Sequence, residues 1–308
     1  MGLTIHDYIS IAKNYRRVYS KYPLVIARQI PKLRKSRIRD DIYIKVTLKD
    51  GRSFQLPFGL VNCYASFTSL QNSIKNENIK NIDIDRNLLF FQFGGKPVYL
   101  DPSRFSDPYC VFLHEEYKFL KVEGKDVIDV GMNVGDSTIY FALKGARRVI
   151  GLEPFPYAFS YAEKNIELNN IENCILLNAG YGEDGETSVE SKKISSISSS
   201  TSHLKQPNNN GKKIKIYSLR SIIELYEIEK CVVKMDCEGC EYSLINEPDS
   251  VFDHIEMMQI EYHYGIQNLV NKLESVGFTV KFTQPQKSYN PASKSTAETG
   301  YIYAEKQQ

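Results

Sequence analysis

From Val127 to Ser137 the chain reads Val-Ile-Asp-Val-Gly-Met-Asn-Val-Gly-Asp-Ser, a strand-forming run that ends in a glycine-bearing turn and opens a helix. A short apolar strand without polar alternation needs cover on both faces, the condition of a parallel sheet flanked by helices. The pattern recurs downstream. Strands are predicted at 126–130, 148–153, 174–178, 213–217, 231–236, 256–262, 278–283 and 299–304, and helices at 136–144, 156–169, 219–227, 240–246 and 266–276. Strand and helix in alternation specify a doubly wound α/β domain, here over residues 116–308.

The upstream third is organised differently. Ile5, Tyr8, Ile9, Ala12, Tyr15, Tyr19 and Tyr22 recur at helical spacing, and Pro31 is expected to end the pattern. Residues 1–39 hold ten Lys and Arg against Asp7, a charge of +9, so the remaining 269 residues carry −7 of the chain's net +2. We therefore expect a basic amphipathic helical arm over 1–39. Ile42 to Leu56 alternates across Asp50-Gly51, a hairpin signal, and marks 40–115 as a small, mostly β accessory region. Eight serines within 188–202 and the run Asn208-Asn-Asn-Gly211 predict a mobile loop or lid over Thr187–Lys213. No run approaches the ~20 apolar residues of a membrane-spanning helix, and the first residues lack the charged and apolar pattern of an export signal. The expectation is a cytoplasmic protein able to lie against a membrane.

The glycine turn specifies its ligand by what it lacks. A dinucleotide pyrophosphate wants G-x-G-x-x-G at a helix start. Here Gly131 and Gly135 have three residues between them, and Asp129 sets a carboxylate at the strand end, where it would repel phosphate and favour a cation. S-adenosyl-L-methionine fits, since its sulfonium and ammonium are both positive. Met132 and Asn133 complete the turn, and Asp136 and Ser137 suit the first helical positions, where free backbone N–H groups want an acceptor. Glu153 ends the next strand 24 residues after Asp129, near the ~20-residue offset at which an acid reaches ribose hydroxyls. Asn178, at the third strand end, is placed to border the adenine. The plainer alternative is a tight strand–helix turn that happens to hold two glycines.

The later strand Cys231-Val-Val-Lys-Met-Asp-Cys-Glu-Gly-Cys-Glu241 supplies the more specific signal. With Asp129-Val-Gly-Met-Asn-Val-Gly135 and Glu153-Pro154, the run Lys234-Met-Asp-Cys-Glu-Gly-Cys-Glu241 resembles the FkbM family of S-adenosylmethionine-dependent methyltransferases over roughly residues 115–283. The resemblance implies a class I, Rossmann-like fold: a seven-stranded, mostly parallel sheet with helices on both faces. It also implies methylation of a hydroxyl on a sugar, a lipid-linked glycan or another small molecule. Met132 stands where a small residue is usual, which places it in the expected pocket wall. The chain shows Asp236-Cys-Glu-Gly where a common amino-directed enzyme would carry Asn/Asp-Pro-Pro-Tyr, and no Pro-Cys of the cytosine C5 kind.

Glu261 and His263 are two apart at a strand end, hence on one face. Ligands of such folds bind at the carboxyl ends of strands. His263 is the expected proton acceptor, supported by Glu261, with Asp236 and Glu238 as competing acceptors; Asp236 is also expected at the donor. Cys237 and Cys240 form a lone C-x-x-C without the second pair a closed zinc site needs, and all six cysteines are expected as free thiols, with no metal site. The expected partners are a small-molecule or glycan acceptor and an anionic membrane surface met by residues 1–39. The alternatives are an RNA methyltransferase using the basic arm and a nucleoside-binding protein without catalysis.

Overall fold

The computed structural model describes residues 5–35, 42–102, 108–189, 212–290 and 295–306. The chain divides into two compact units, one of Gly2–Glu116 with Glu163–Asn170, the other of Tyr117–Ala162 with Ile171–Gln308.

In the first unit, α1 (Ile5–Val18) and α2 (Tyr22–Lys35) are followed by a hairpin of β1 (Tyr43–Thr47) and β2 (Ser53–Pro57). Then come α3 (Phe58–Ile74) and an antiparallel sheet of β3 (Ile79–Asp85), β4 (Leu88–Phe93) and β5 (Lys96–Leu100). Pro31 lies inside α2 and does not end it; the break falls at 19–21. The basic segment is not a detached arm over its described side chains. Tyr15, Val18, Tyr19 and Val25 are buried, the Tyr15 hydroxyl donates to Asn62, and the Tyr19 hydroxyl donates to the Val61 carbonyl at 2.8 Å. The 17-residue helix α3 is also a departure from the mostly β reading. It buries Phe58, Leu60, Val61, Cys63, Tyr64, Ala65 and Phe67, so its apolar residues surround it and leave no stripe for periodicity to detect. Asn169 of the Glu163–Asn170 segment accepts from the Tyr99 N–H at 2.9 Å.

The second unit carries the alternation. Its elements are β6 (Asp126–Val130), α4 (Asp136–Leu143), β7 (Arg148–Leu152), α5 (Pro156–Leu168), β8 (Cys174–Leu177), β9 (Ala179–Tyr181), β10 (Gly185–Val189), β11 (Lys212–Tyr217) and α6 (Leu219–Leu225). They continue through β12 (Cys231–Met235), β13 (Ile255–Tyr262), α7 (Gln267–Ser275), β14 (Phe278–Phe282), β15 (Gln286–Asn290) and β16 (Ser295–Lys306). The main sheet runs β14-β16-β13-β12-β6-β7-β8, with β15 paired to β16 off that path. The contacts among β13, β12, β6, β7 and β8 are parallel, and β16 is antiparallel to both neighbours. Every residue of β6 and β12 is buried, as central parallel strands require.

Three local readings change. Residues 213–217 do form a strand, but β11 joins β9 and β10 in a separate three-stranded sheet. Thr187–Val189 and Lys212–Lys213 belong to that sheet's antiparallel pair and not to a loop; the remainder of the expected lid, 190–211, lies outside the described residues. Residues 240–246 form a 3₁₀ helix rather than an α-helix.

Candidate active site

The site is built where β6, β7, β12 and β13 end. Gly131 follows β6 at φ 77°, a conformation that favours glycine, and a Cβ there would overlap the Asp236 carbonyl oxygen. The Asp236 N–H in turn donates to the Val130 carbonyl at 3.1 Å. The glycine turn after β6 and the acidic loop after β12 are thus pressed together by backbone, with no room for a side chain between them.

Asp129 does not face a ligand as the sequence led us to expect. Its carboxylate is wholly buried. Oδ2 accepts from the Ser137 hydroxyl at 2.6 Å and the Thr138 hydroxyl at 2.8 Å, and Oδ1 lies 3.0 Å from Lys234 Nζ. The register explains the pair, since Lys234 on β12 sits directly beside Asp129 on β6. Lys234 Nζ also donates to the Gly131 carbonyl at 2.7 Å. Burial alone would pull this ammonium's pKa down, but Asp129 and Asp236 outweigh it and hold the group above its ordinary range. Lys234 therefore fixes the turn from beneath, a role that sequence reading missed although a lysine inside an apolar strand was the available signal.

Met132 is likewise not pocket wall. It is fully buried and lies over Gly151, where a Cβ would press on its sulfur. The backbone beside it is what reaches the site. Asn133, at φ 49°, donates its N–H to Glu153 Oε2 at 3.1 Å, while Phe155 N–H donates to Oε1 at 2.9 Å. Burial pushes the Glu153 carboxyl up to about 8 against these two hydrogen bonds. Gly135, at φ 84°, starts α4, and Asp136 and Ser137 occupy its first turn, both buried. Asn178 donates to the carbonyls of Glu153 and Pro154 at 2.9 and 3.2 Å and accepts from Lys212 Nζ at 2.9 Å, so its amide ties strand ends together.

On the acceptor side, Asp236, Glu261 and His263 converge, with one ligand atom from each lying within 4.8 Å of the others. The carboxylate that holds the histidine ring is Glu241, in place of the expected Glu261. Glu241 is fully buried; its Oε1 accepts from His263 Nδ1 at 2.9 Å and from the His263 backbone N–H at 3.1 Å, and Oε2 accepts from Gly239 N–H at 2.7 Å. His263 Nε2 consequently points away, 3.6 Å from Glu238 Oε2. Burial opposes the imidazolium, but the pairing with Glu241 and the charges of Glu238 and Glu261 prevail and raise the ring to about 9. Glu238, at φ 57°, is itself raised, chiefly by burial. Glu241 was legible only as the last residue of Lys234-Met-Asp-Cys-Glu-Gly-Cys-Glu241; its contact with a strand 22 residues away was not.

Cys237 and Cys240 correct the free-thiol expectation, since they form a disulfide. Glu238 and Gly239, both at positive φ, turn the chain so sharply that the two Cα atoms come within 5.5 Å, a span a disulfide accommodates. Cys63, Cys110, Cys174 and Cys231 are not in disulfides.

The donor set suits a nucleoside with a positive sulfur centre. Buried Glu153 stands at the end of β7 beside the glycine turn, with Asp129 and Asp136 buried at the neighbouring strand end and helix start. Parallel strands ordered β8-β7-β6-β12-β13, closed by the antiparallel β16, with this site at their carboxyl ends, form the class I methyltransferase fold, whose enzymes take their methyl group from S-adenosyl-L-methionine. Residues 129–280 match the methyltransferase FkbM domain. Over 50 residues the chain is 40% identical to a candidate protein N5-glutamine methyltransferase of Methanocaldococcus jannaschii, a stretch that is 16% of this chain. The chain spans a quarter of the length of that relative. Among solved structures, an rRNA methylase from Streptococcus thermophilus is 14% identical with a TM-score of 0.39, covering 67% of this chain and 100% of its own. M. jannaschii TYW2, in complex with AdoMet, is 16% identical with a TM-score of 0.38, covering 74% of this chain and 90% of its own.

Proposed function

We propose that this methyltransferase acts on a hydroxyl oxygen of a small molecule or glycan. The observation that carries the reading is the cluster of Asp236, Glu238, Glu261 and His263 at the carboxyl edge of β12 and β13. An alkyl hydroxyl keeps its proton until attack, so its methylation needs proton-accepting groups beside the reacting oxygen. The donor supplies an electrophilic methyl on a positive sulfur. In the transfer the acceptor oxygen–carbon bond forms as the carbon–sulfur bond breaks, and the hydroxyl proton leaves to the cluster. The protein's part is placement. Lys234 and Gly131 fix the turn on the donor side against the Asp236 loop, and Glu241 locks the orientation of His263. Holding two reactants in line is worth about 7–11 kcal/mol of barrier, more than proton removal contributes.

The test is transfer of a labelled methyl group from the donor into fractionated cell extract. Label recovered as a base-stable methyl ether in a glycan or small-molecule fraction is the expected result. Label confined to nucleic acid would replace the reading by the RNA alternative. Donor binding without transfer to any fraction would leave a nucleoside-binding protein.

A further inference from the structure

The segment that carries the acceptor-side acids out of β12 is closed on itself by a covalent bond. Asp236 is the last residue held by the sheet, its N–H donating to the Val130 carbonyl at 3.1 Å. Cys237 to Cys240 then form a loop shut by the disulfide, with Cα atoms 5.5 Å apart. Inside that loop Glu238 holds φ 57° and Gly239 φ 119°. A glutamate at left-handed φ persists where its surroundings over-determine it, and the crosslink does that here. Glu241 follows at once, so the place of its carboxylate depends on the turn. Its Oε2 accepts from the Gly239 N–H at 2.7 Å and lies 3.6 Å from Cys237 Sγ, while its Oε1 holds the His263 ring.

Resting on the methyltransferase reading above, we propose that Cys237 and Cys240 form a thiol–disulfide switch that sets the placement of Glu238, Glu241 and His263, and with it methyl transfer, while leaving the donor site alone. The two sides are tied down by different bonds. The donor turn is fixed by the pairing of β6 with β12 and by Lys234, whose Nζ donates to the Gly131 carbonyl at 2.7 Å. Those ties do not pass through the crosslinked residues. The histidine, by contrast, gives both its Nδ1 and its backbone N–H to Glu241, directly after the crosslink. Reduction also changes the chemistry beside that carboxylate, since the opened Cys237 thiol gains a proton that it can donate to the oxygen next to it.

Opening the pair takes a dithiol as reductant. Cys237 is half-buried and Cys240 only 5% exposed, so the incoming thiolate attacks Cys237 Sγ. The new sulfur–sulfur bond forms as the Cys237–Cys240 bond breaks, and Cys240 leaves as a thiolate that takes up a proton. The reductant's second thiolate then attacks its own sulfur in the mixed disulfide and releases Cys237. Two electrons and two protons have passed to the chain, and the reductant departs as a disulfide. Oxidation by a disulfide runs the same steps backward.

For the test, the full chain is closed with oxidised glutathione or opened with dithiothreitol. Alkylation of the unfolded protein, read by mass, should count four thiols in the first state and six in the second. Imidazole proton resonances follow His263 through a pH titration in both states, assigned by their loss in His263→Gln, and calorimetry measures S-adenosyl-L-methionine binding. Closed, the ring should titrate near 9; opened, it should fall toward the ordinary 6.5 while donor affinity is unchanged. The Cys237→Ser, Cys240→Ser variant should match the opened chain with or without dithiothreitol. It should also transfer labelled methyl into cell extract about 100-fold more slowly than the closed chain, the scale of an ~1 Å misplacement. Circular dichroism establishes that this variant folds, and if it does not, reduction of the natural chain carries the test. A His263 titration that is the same in both states overturns the switch, as does transfer by the open form as fast as by the closed. Failure of oxidised glutathione to close the pair overturns it as well. Loss of donor binding on opening overturns the separation of the two sides and makes the disulfide a support of the whole unit. A closed chain that binds no donor strikes the methyltransferase reading instead, and the titration still decides whether the pair governs His263.

Discussion

Two buried charges at the donor side carry opposite lessons. The Glu153 carboxyl titrates near 8 in the folded chain against an ordinary 4.5, so the folded state holds this proton more tightly than the unfolded one. The stability it contributes is full below pH 4.5 and is lost as the pH rises toward 8. Urea unfolding of the donor-free chain should show that loss across this window, and Glu153→Gln should flatten it. The same substitution should weaken donor affinity by about 0.5–1.5 kcal/mol, the worth of a neutral hydrogen bond, measurable by calorimetry. Lys234 behaves differently because its counter-charge is fixed. Lys234→Met strands the buried Asp129 carboxylate and should cost about 3–5 kcal/mol in unfolding free energy. Adding Asp129→Asn to that variant should restore much of the loss, because the stranded charge is then gone; a double variant as unstable as the single would show that the pair is not coupled.

At the level of elements, α6 shows how a single cap places a helix. The Ser218 hydroxyl accepts from the Ser221 N–H at 3.0 Å and donates to Asp184 Oδ2 at 2.9 Å, while Asp184 Oδ1 accepts from the Ser218 N–H at 2.8 Å. Although burial works to raise Asp184, the hydrogen bonds from Ser218 and one from the Ser221 hydroxyl to Oδ2 at 2.7 Å lower it. Its contribution is therefore present above the ordinary carboxyl range and is lost as the pH falls through its lowered pKa. Ser218→Ala should destabilise the chain by about 1 kcal/mol, read from a shift in the urea midpoint at unchanged slope. Such caps are visible in sequence, and α6 was predicted close to its observed bounds. The helix α3 was not. Its residues bury on nearly all sides, so the pattern that reveals a half-exposed helix is absent.

For the molecule as a whole, the basic N-terminal segment matters beyond its charge. Tyr15 and Tyr19 are buried within its unit, so deleting residues 1–39 would expose a core as well as remove cations. Charge reversal separates the two. Lys13, Arg16 and Lys21 are exposed, and near them Ile9 and Leu24 are each 48% exposed. We expect the chain to float with phosphatidylserine vesicles at low salt and the Lys13→Glu, Arg16→Glu, Lys21→Glu variant to lose about 3 kcal/mol of that binding, at ~1 kcal/mol per basic residue. Equal flotation of both proteins would leave these side chains as a solvated face. Among the described residues no helix is long and apolar enough to cross a membrane.

The sequence by itself determined the parallel sheet, because strands covered on both faces are continuous apolar runs and the glycine turn after β6 admits few alternatives. Three short segments also carried the resemblance to the FkbM family, whose domain residues 129–280 match. The tertiary structure decided which atoms those residues present. Asp129 turned from ligand to anchor because strand register sets Lys234 beside it; Met132 left the pocket wall because Gly151 makes room beneath it; and Glu241 displaced Glu261 as the partner of His263 because the turn at Glu238 and Gly239 carries it across to β13. Each outcome depends on contacts between segments distant along the chain, and spacing within one segment holds no record of them.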